Sequence, residues 1–416
     1  MRGLIGKKLS HSFSKEIHEK LDKKEYNLIE LSELDSFFQE KSFECINVTI
    51  PYKSKCISFL DEISESAKEI NAVNTIINDN GILKGYNTDV DGLIYTFDYY
   101  NVSIENKVIG IIGNGSTSKT IEYVSKLKHA KIIKVFARNP KQNEYKLSDI
   151  DTHQDIQILI NATPVGMYPN NDQDPVVNVS NFSQLEFVLD LVYNPLKTKL
   201  IIDAKKHNIK AVNGLMMLTH QAVKANELFN NRTCEKRISN TIYREIYLKQ
   251  LNLVLIGMPM SGKSYYSRKL AKAYNKALVD IDREIEYTQE KSIPEIFKSA
   301  GEKEFRRIEF ETIYNMSKEL NKAISTGGGV VLNQKNIDVL KQNGVIIFLD
   351  APLSDLKKMP PKGRPLLKNP SNLIKLYKER YALYNNACDI KIKKNGFNTK
   401  ETMRNIEVKI NEYINS

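Results

Sequence analysis

Apolar residues in this chain fall into short runs separated by longer amphipathic stretches, the pattern of buried strands alternating with surface helices. Leu253-Val254-Leu255-Ile256 is the plainest run, and an amphipathic pattern follows it through Tyr274. A run apolar on both faces predicts a parallel-sheet strand. Residues 107–112 repeat the plan, with a helical pattern to about Leu127 and a second strand over 132–136. Nearer the start the runs are shorter. Leu4-Ile5-Gly6 predicts a strand, a helix follows to about Leu21, and 45–50 alternates before breaking at Pro51. Residues 72–77 and 82–86 read as strands joined by Asn80-Gly81, a hairpin signal. The link 139–155 is short for a crossover helix and predicts a trimmed helix or a loop. Asn213 opens a long helix that should return to the first segment, and one more charged helix runs to about Gln250. Beyond it, 278–282 reads as a strand with Asp280 and Asp282 on one face, 301–309 as a charged helix, and 327–329 as a glycine turn after an apolar strand.

A length of 416 residues suits two to three domains, and 41% hydrophobic with 27% charged residues suits a globular protein. Cys45, Cys56, Cys234 and Cys388 lie far apart without a CxxC pair, which argues for a reducing compartment and against disulfides or a zinc site. No apolar run approaches the roughly 20 residues that span a bilayer, and MRGLIGKKLSHS lacks a signal-peptide core, so the expected location is cytoplasmic. The net charge of +11 is spread among acidic residues with no nucleic-acid-binding motif. It reads as a lysine-rich solvated surface with basic clefts for small anions; neither nucleic acid nor membrane is expected as a partner.

Residues 257–264 spell G-x-x-x-x-G-K-S between a strand and a helix, the context in which this motif holds a nucleoside triphosphate. Gly257, Met258, Pro259, Met260, Ser261, Gly262 and the neighbouring Tyr265 are the expected ATP contacts. Lys263 reaches the β- and γ-phosphates and Ser264 ligates Mg²⁺. Of Asp280 and Asp282, one suits the Mg²⁺ shell and the other the acceptor alcohol. Gly113-Asn114-Gly115-Ser116-Thr117-Ser118 is G-x-G-x-x-S rather than G-x-G-x-x-G, and in its strand–loop–helix context it supports a Rossmann unit. Ser118 should loosen helix–strand packing slightly. After the second strand an NAD site would carry Asp or Glu; Arg138 and Lys141 stand there instead and suit the 2′-phosphate of NADP.

The first 90 residues end their segments in Ser12 and Ser14, Lys53, Asn74 and Asp89. Either serine has a plain reading as a helix N-cap, and a lone lysine past a strand is usually surface. Asn74 in an apolar strand needs partners. Together the set suits a polyhydroxy acid: hydroxyls and amides for its hydroxyl groups, and an ammonium–carboxylate pair for chemistry.

The runs HSFS, NVTIPYK, AVNTI and YNTD, in this order and spacing, resemble shikimate dehydrogenase, as do residues 161–167 and 188–198. The resemblance implies catalysis by Lys53 and Asp89, and substrate contacts from Ser12, Ser14, Asn47, Thr49, Asn74, Tyr193 and Gln221. It implies NADP contacts from the 113–118 loop, Arg138, Lys141, Thr163 and Gly214. Lys15 stands where the family usually has proline, and Gln142 where it usually has a further arginine. Serine at both 12 and 14 favours shikimate over quinate. Residues 251–416 resemble shikimate kinase. That resemblance implies shikimate binding by Asp282, Arg306, Gly327, Gly328, Gly329 and Arg380, with Asp282 at the acceptor hydroxyl, Asp280 with Ser264 at Mg²⁺, and Arg364 closing over the phosphates beside Lys263. Lys357, Lys358 and Met359 stand where the family lid usually has an arginine.

The expectation is therefore an α/β chain. A dehydrogenase-type substrate domain (residues 1–90 with 213–249) is joined to a Rossmann NADP domain (91–212). A P-loop, nucleoside-monophosphate-kinase-like parallel α/β domain (250–416) follows. The expected activity is reduction of 3-dehydroshikimate with NADPH, then phosphorylation of shikimate by ATP with Mg²⁺. The alternatives are a quinate/shikimate-type dehydrogenase fused to a related kinase, and an inactive sensor of the same folds. The oligomeric state is open.

Overall fold

A computed structural model of the chain describes residues 1–9, 12–235, 237–358, 370–394, 396 and 398–415. It divides into two compact units, Met1–Glu245 and Ile246–Ser416. The division falls a few residues before the expected 249/250.

The first unit opens with β1 (Arg2–Gly6), α1 (Ser14–Asp22), β2 (Asn27–Glu30), α2 (Asp35–Glu40), β3 (Cys45–Val48), β4 (Glu62–Ile63), α3 (Glu65–Ile70), β5 (Thr75–Asp79), β6 (Ile82–Tyr86) and α4 (Asp89–Tyr99). Its sheet runs β2-β1-β3-β5-β6-β4, with β5 antiparallel to both neighbours. Asn80 and Gly81, at φ 52° and 94°, make the tight turn between β5 and β6. Ile5, Ile46, Ile76 and Leu83 are fully buried in its core.

The second sheet takes β7 (Val108–Ile112), β8 (Ile132–Ala137), β9 (Tyr145–Lys146), β10 (Ile158–Asn161), β11 (Phe187–Asp190) and β12 (Lys210–Asn213), with α5 (Ser116–Leu127) and α6 (Lys199–Lys206). All its ladders are parallel, in the order β12-β11-β10-β7-β8-β9. The order reverses between β7 and β10, where open parallel sheets bind ligands at their carboxyl edge. Only β9 and a 3₁₀ turn, Leu147–Thr152, fill the short link between β8 and β10. The long helix α7 (Leu215–Asn230) returns to pack on α1 and α4, and α8 (Arg237–Gln250) follows.

The second unit contains β13 (Asn252–Ile256), α9 (Lys263–Ala273), β14 (Ala277–Asp280), α10 (Ile281–Gln289), α11 (Ile293–Lys318), β15 (Lys322–Ser325), α12 (Gln334–Asn343), β16 (Gly344–Asp350), α13 (Leu353–Leu356), α14 (Pro370–Ala387), β17 (Ile390–Lys393) and α15 (Thr399–Asn415). Its all-parallel sheet runs β14-β15-β13-β16-β17. The expected strand over 278–282 is corrected here. β14 stops at Asp280, the N-cap of α10, and Asp282 lies in that helix's first turn. Burial of Ile281 and Ile285 on one helical face ends the strand, and an acidic residue suits a helix N-terminus. Gly301, at φ 79°, breaks α11, so the charged segment carrying Arg306 is its second half. Among the described residues no helix is long and apolar enough to cross a membrane.

Candidate active sites

Lys53 follows β3 after the break at Pro51, and Asp89 opens α4. Both side chains are largely buried, and Lys53 Nζ donates to Asp89 Oδ2 at 2.5 Å. Asn74 Nδ2 donates to the other carboxylate oxygen at 3.0 Å, and to Gln221 Oε1 on α7 at 3.4 Å. Thr88, absent from the sequence expectations, joins this knot: its N–H donates to Asn74 Oδ1 at 2.8 Å. Its place in YNTD beside Asp89 was the available signal. The helix α7 thus brings Gln221 to a cluster set by β5 and α4.

The other expected substrate residues sit differently. Asn47 is buried on β3. It accepts from Tyr26 Oη at 2.7 Å and donates to Asn74 O and Thr75 Oγ1, so its hydrogen bonds tie the sheet together. Ser12 Oγ accepts from Ser14 N at 3.2 Å, but Phe13 is the N-cap of α1, so neither serine takes the N-cap place expected from sequence. Ser14 is buried at the start of α1, and Thr49 is half-buried just past β3. Phe13 and Tyr193 bring the serine segment and the loop after β11 together, with ring centroids 6.0 Å apart.

Gly113 directly follows β7 with φ 105°, a conformation that favours glycine. Ser118 is buried and its Oγ donates to Gly113 O at 2.7 Å. Ser118, expected to loosen helix–strand packing slightly, ties helix to loop through this bond. A Cβ on Gly115 would meet nothing within 4 Å, leaving room beside the N-terminus of α5, opened by Ser116 and Thr117. That end of a helix attracts phosphate. Thr163 lies against Gly113, its N–H and Oγ1 both donating to Asn161 Oδ1. Gly214 caps α7, where a Cβ would come within 2.3 Å of Leu191 O, so packing alone demands glycine there. Arg138 lines an open crevice of about 410 Å³ with Lys146, Leu147, Ser148 and Val176, and the Lys141 side chain is exposed nearby in sequence.

Asp190, at the end of β11, is fully buried. Thr198 Oγ1 donates to it at 2.6 Å, Asn161 Nδ2 at 2.9 Å and Val192 N at 3.1 Å. Burial pushes its carboxyl up to about 6 despite these donors. It links Asn161, and through it Thr163, to the start of the loop carrying Tyr193.

In the second unit the loop 257–262 joins β13 to α9. Lys263 Nζ donates to Gly257 O at 2.9 Å and Met258 O at 3.0 Å, folded back on its own loop. Met260, Ser261 and Gly262 complete the turn, and Tyr265 is exposed on α9. Ser264 Oγ lies 3.1 Å from Ser325 Oγ, and the β14–β15 register sets Ser325 opposite Asp280. Ser325, missed from sequence, thus links the two expected Mg²⁺ ligands. An Mg²⁺ that arrives on a triphosphate keeps most ligands as phosphate and water, so this small donor set fits it.

The glycine turn stands beside a charge cluster. A Cβ on Gly329 would fall 2.4 Å from Arg306 Nη1, and one on Gly327 would fall 2.7 Å from Asp282 Oδ1. A Cβ on Gly328 would meet Pro259 at 2.8 Å, so the turn also touches the phosphate loop. Arg306 Nη1 donates to Glu309 Oε2 at 2.8 Å, with Glu309 1% exposed. Burial pushes the Glu309 carboxyl above its usual range, against the pull of Arg306. Glu309 escaped the sequence reading, although its i,i+3 spacing from Arg306 and its place beside Phe305 and Ile308 signal a buried partner. Arg380 Nη1 donates to Gly328 O at 2.8 Å, and Tyr384 Oη donates to the same carbonyl. Arg380 is 4% exposed, and its Nε has no hydrogen-bond partner among the described residues. An orphaned buried guanidinium N–H beside Arg306 fits an anionic ligand. Met359 and Arg364 lie outside the described residues.

A family model described as Shikimate dehydrogenase substrate binding domain matches residues 4–76, and one described as Shikimate kinase matches 259–411. The chain is 37% identical over 266 residues to Shikimate dehydrogenase (NADP(+)) of Clostridium perfringens, covering 59% of this chain and 97% of that one. It is 35% identical over 260 residues to the protein of that name from Methanosphaera stadtmanae, covering 56% and 91%. Among solved structures it resembles a chorismate mutase/shikimate 5-dehydrogenase fusion protein from Clostridium acetobutylicum, with TM-score 0.55 and 33% identity over 59% of this chain and 96% of that one.

Proposed function

This chain belongs to the shikimate dehydrogenase family and carries a shikimate kinase domain behind that part, and we propose that it catalyses two consecutive steps on one ring. It is an NADP-dependent shikimate dehydrogenase and an ATP-dependent shikimate kinase, an enzyme of the shikimate pathway. In the proposed order, 3-dehydroshikimate is reduced to shikimate, and shikimate is then phosphorylated on its 3-hydroxyl. We assign residues 1–90 with 213–249 to the ring substrate of the first step, 91–212 to the coenzyme and 250–416 to the second step.

The observation that carries this reading is the buried Lys53–Asp89 pair wired to Asn74 and Gln221. NADPH, when bound, supplies a hydride to the ketone carbon. The ketone oxygen then needs one proton, which Lys53 gives and Asp89 helps to return, and the ammonium offsets charge building on that oxygen. Asn74 and Gln221 fix the neighbouring hydroxyls; Ser12, Ser14, Thr49 and Tyr193 are the further substrate contacts. The 113–118 loop and Thr163 are assigned to the coenzyme's pyrophosphate and nicotinamide ends, with Arg138 and Lys141 at its 2′-phosphate.

In the kinase half Arg306 and Arg380 grip the substrate carboxylate, and Glu309 holds Arg306 in place. Asp282 accepts from the attacking hydroxyl, while Lys263 leaves its own loop carbonyls to meet the β- and γ-phosphates. Ser264 and Asp280 would hold Mg²⁺, which neutralises phosphate charge when bound. One phosphoryl group moves from ATP to the alcohol, leaving ADP and a proton.

A substrate panel tests the reading. The full chain is given shikimate or quinate with NADP⁺, and separately shikimate or quinate with Mg-ATP. Turnover of shikimate in both reactions, well above quinate, is expected. Preference for quinate in either would overturn the assignment of that half, and inactivity in both would make the chain a sensor.

A further inference from the structure

The loop after β8 carries an acidic side chain that the strand's own end lacks. In dinucleotide folds an acid just after this strand marks NAD, because it accepts from the ribose 2′-hydroxyl, and a cation marks NADP. Here Ala137 and Arg138 occupy that end. Seven residues on, Glu144 folds back to it. Its Oε2 accepts from Asn114 Nδ2 at 2.8 Å and from the Lys141 backbone N–H at 2.7 Å. Asn114 is the central residue of the Gly113-Asn114-Gly115 turn, and its Nδ2 also donates to Asn139 O at 3.1 Å. One carboxylate oxygen therefore bridges the glycine turn to the loop that bears both candidate phosphate-binding cations. The other, Oε1, makes no hydrogen bond among the described residues. Neither Arg138 nor Lys141 forms a side-chain ion pair with Glu144. The missing crossover helix makes this possible. With only β9 and a 3₁₀ turn after β8, the loop 138–144 is short enough to bring Glu144 against the turn.

Resting on the coenzyme reading above, we propose that Glu144 is a specificity-determining residue that holds down the preference for NADPH over NADH. Its charge opposes the 2′-phosphate that Arg138 and Lys141 attract, and its free oxygen offers an acceptor to an unphosphorylated ribose. The site so built takes NADPH first and NADH measurably. Glu144→Gln keeps an oxygen that accepts from Asn114 and Lys141, so the loop survives while the charge goes.

The test is calorimetric titration of the full chain with adenosine 2′,5′-bisphosphate and with 5′-AMP, for wild type, Glu144→Gln, Glu144→Asp and Arg138→Ala. The expected result is bisphosphate binding about three- to five-fold tighter in Glu144→Gln, the scale of one like charge at contact distance in water. Binding of 5′-AMP should hold or weaken, and Glu144→Asp, which keeps the charge, should stay within about two-fold of wild type. The kcat/KM ratio for NADPH over NADH should rise in step. Unchanged or weaker bisphosphate binding in Glu144→Gln, or equal shifts in the Gln and Asp variants, overturns the proposal. The coenzyme reading is judged separately: Arg138→Ala must weaken the bisphosphate and spare 5′-AMP.

Discussion

Lys53 Nζ and Asp89 Oδ2 lie 2.5 Å apart, with each side chain no more than 13% exposed. They come from a strand end and a helix start 36 residues apart in sequence. Such a pair has low solvent screening, and removing one partner leaves a buried charge. Lys53→Ala should therefore lower kcat of the reductase about 10²- to 10⁴-fold, the range of a positioned acid–base group. Lys53→Arg should restore charge but not the proton transfer. Initial rates of NADPH oxidation check this. A drop of less than ten-fold in the alanine variant would remove Lys53 from the chemistry.

Gly329 faces the Arg306 guanidinium so closely that a methyl group would displace it. Gly329→Ala should raise the kinase KM for shikimate roughly ten- to hundred-fold, since small misplacements of a positioning group cost that much. The KM for ATP and the dehydrogenase rate should hold. A variant with unchanged KM for shikimate would show that Arg306 does not touch it.

Arg380 presents a buried Nε–H without a partner among the described residues, beside a bond from Nη1 to Gly328 O. Arg380→Lys keeps the charge and loses the planar fork. Its kinase KM for shikimate should rise about ten-fold with kcat changed less. A fall in kcat at constant KM would instead place Arg380 on the transferring phosphate.

Asp190 predicts a pH effect. Burial raises its folded pKa to about 6, above the ordinary carboxylate range. The folded state then holds a proton that the unfolded chain has lost, so this contribution to stability is complete below about pH 4 and fades as pH rises through about 6. Its size is on the order of 3 kcal/mol. Asp190→Asn should flatten the stability of the first unit across that window, read by denaturant titration at each pH. An unchanged pH slope would show that another group carries it.

The sequence foretold the α/β class and the strands β1, β3, β5, β6, β7, β8, β13 and β15, because short doubly apolar runs and glycine turns are local signals, but it left β2, β4, β9, β12, β16 and β17 unread. Local pattern failed where neighbours decide. Asp282 reads as a strand residue, yet burial of Ile281 and Ile285 turns the chain into α10 at that point. Asn47 sits in a motif beside Thr49 and Lys53, yet Tyr26 and Thr75 claim its hydrogen bonds. Ser118 loses a glycine and gains a hydroxyl bond to Gly113 O. Ser325 and Glu144 are ordinary residues in sequence, and only the fold brings them to Ser264 and Asn114, whereas the i,i+3 spacing of Glu309 from Arg306 was legible and went unread.

The proposed function puts two separate chemistries in series on one chain. The most direct measurement is a one-pot assay of the full chain with 3-dehydroshikimate, NADPH and Mg-ATP, following NADPH loss and ³¹P signals together. Shikimate 3-phosphate and ADP are expected in equal amounts, with Lys53→Ala stopping both products and regaining phosphorylation when shikimate is added. Lys263→Ala should leave NADPH oxidation intact and yield shikimate alone. If Lys263→Ala also abolished reduction, or added shikimate failed to rescue Lys53→Ala, the two-chemistry account would be contradicted.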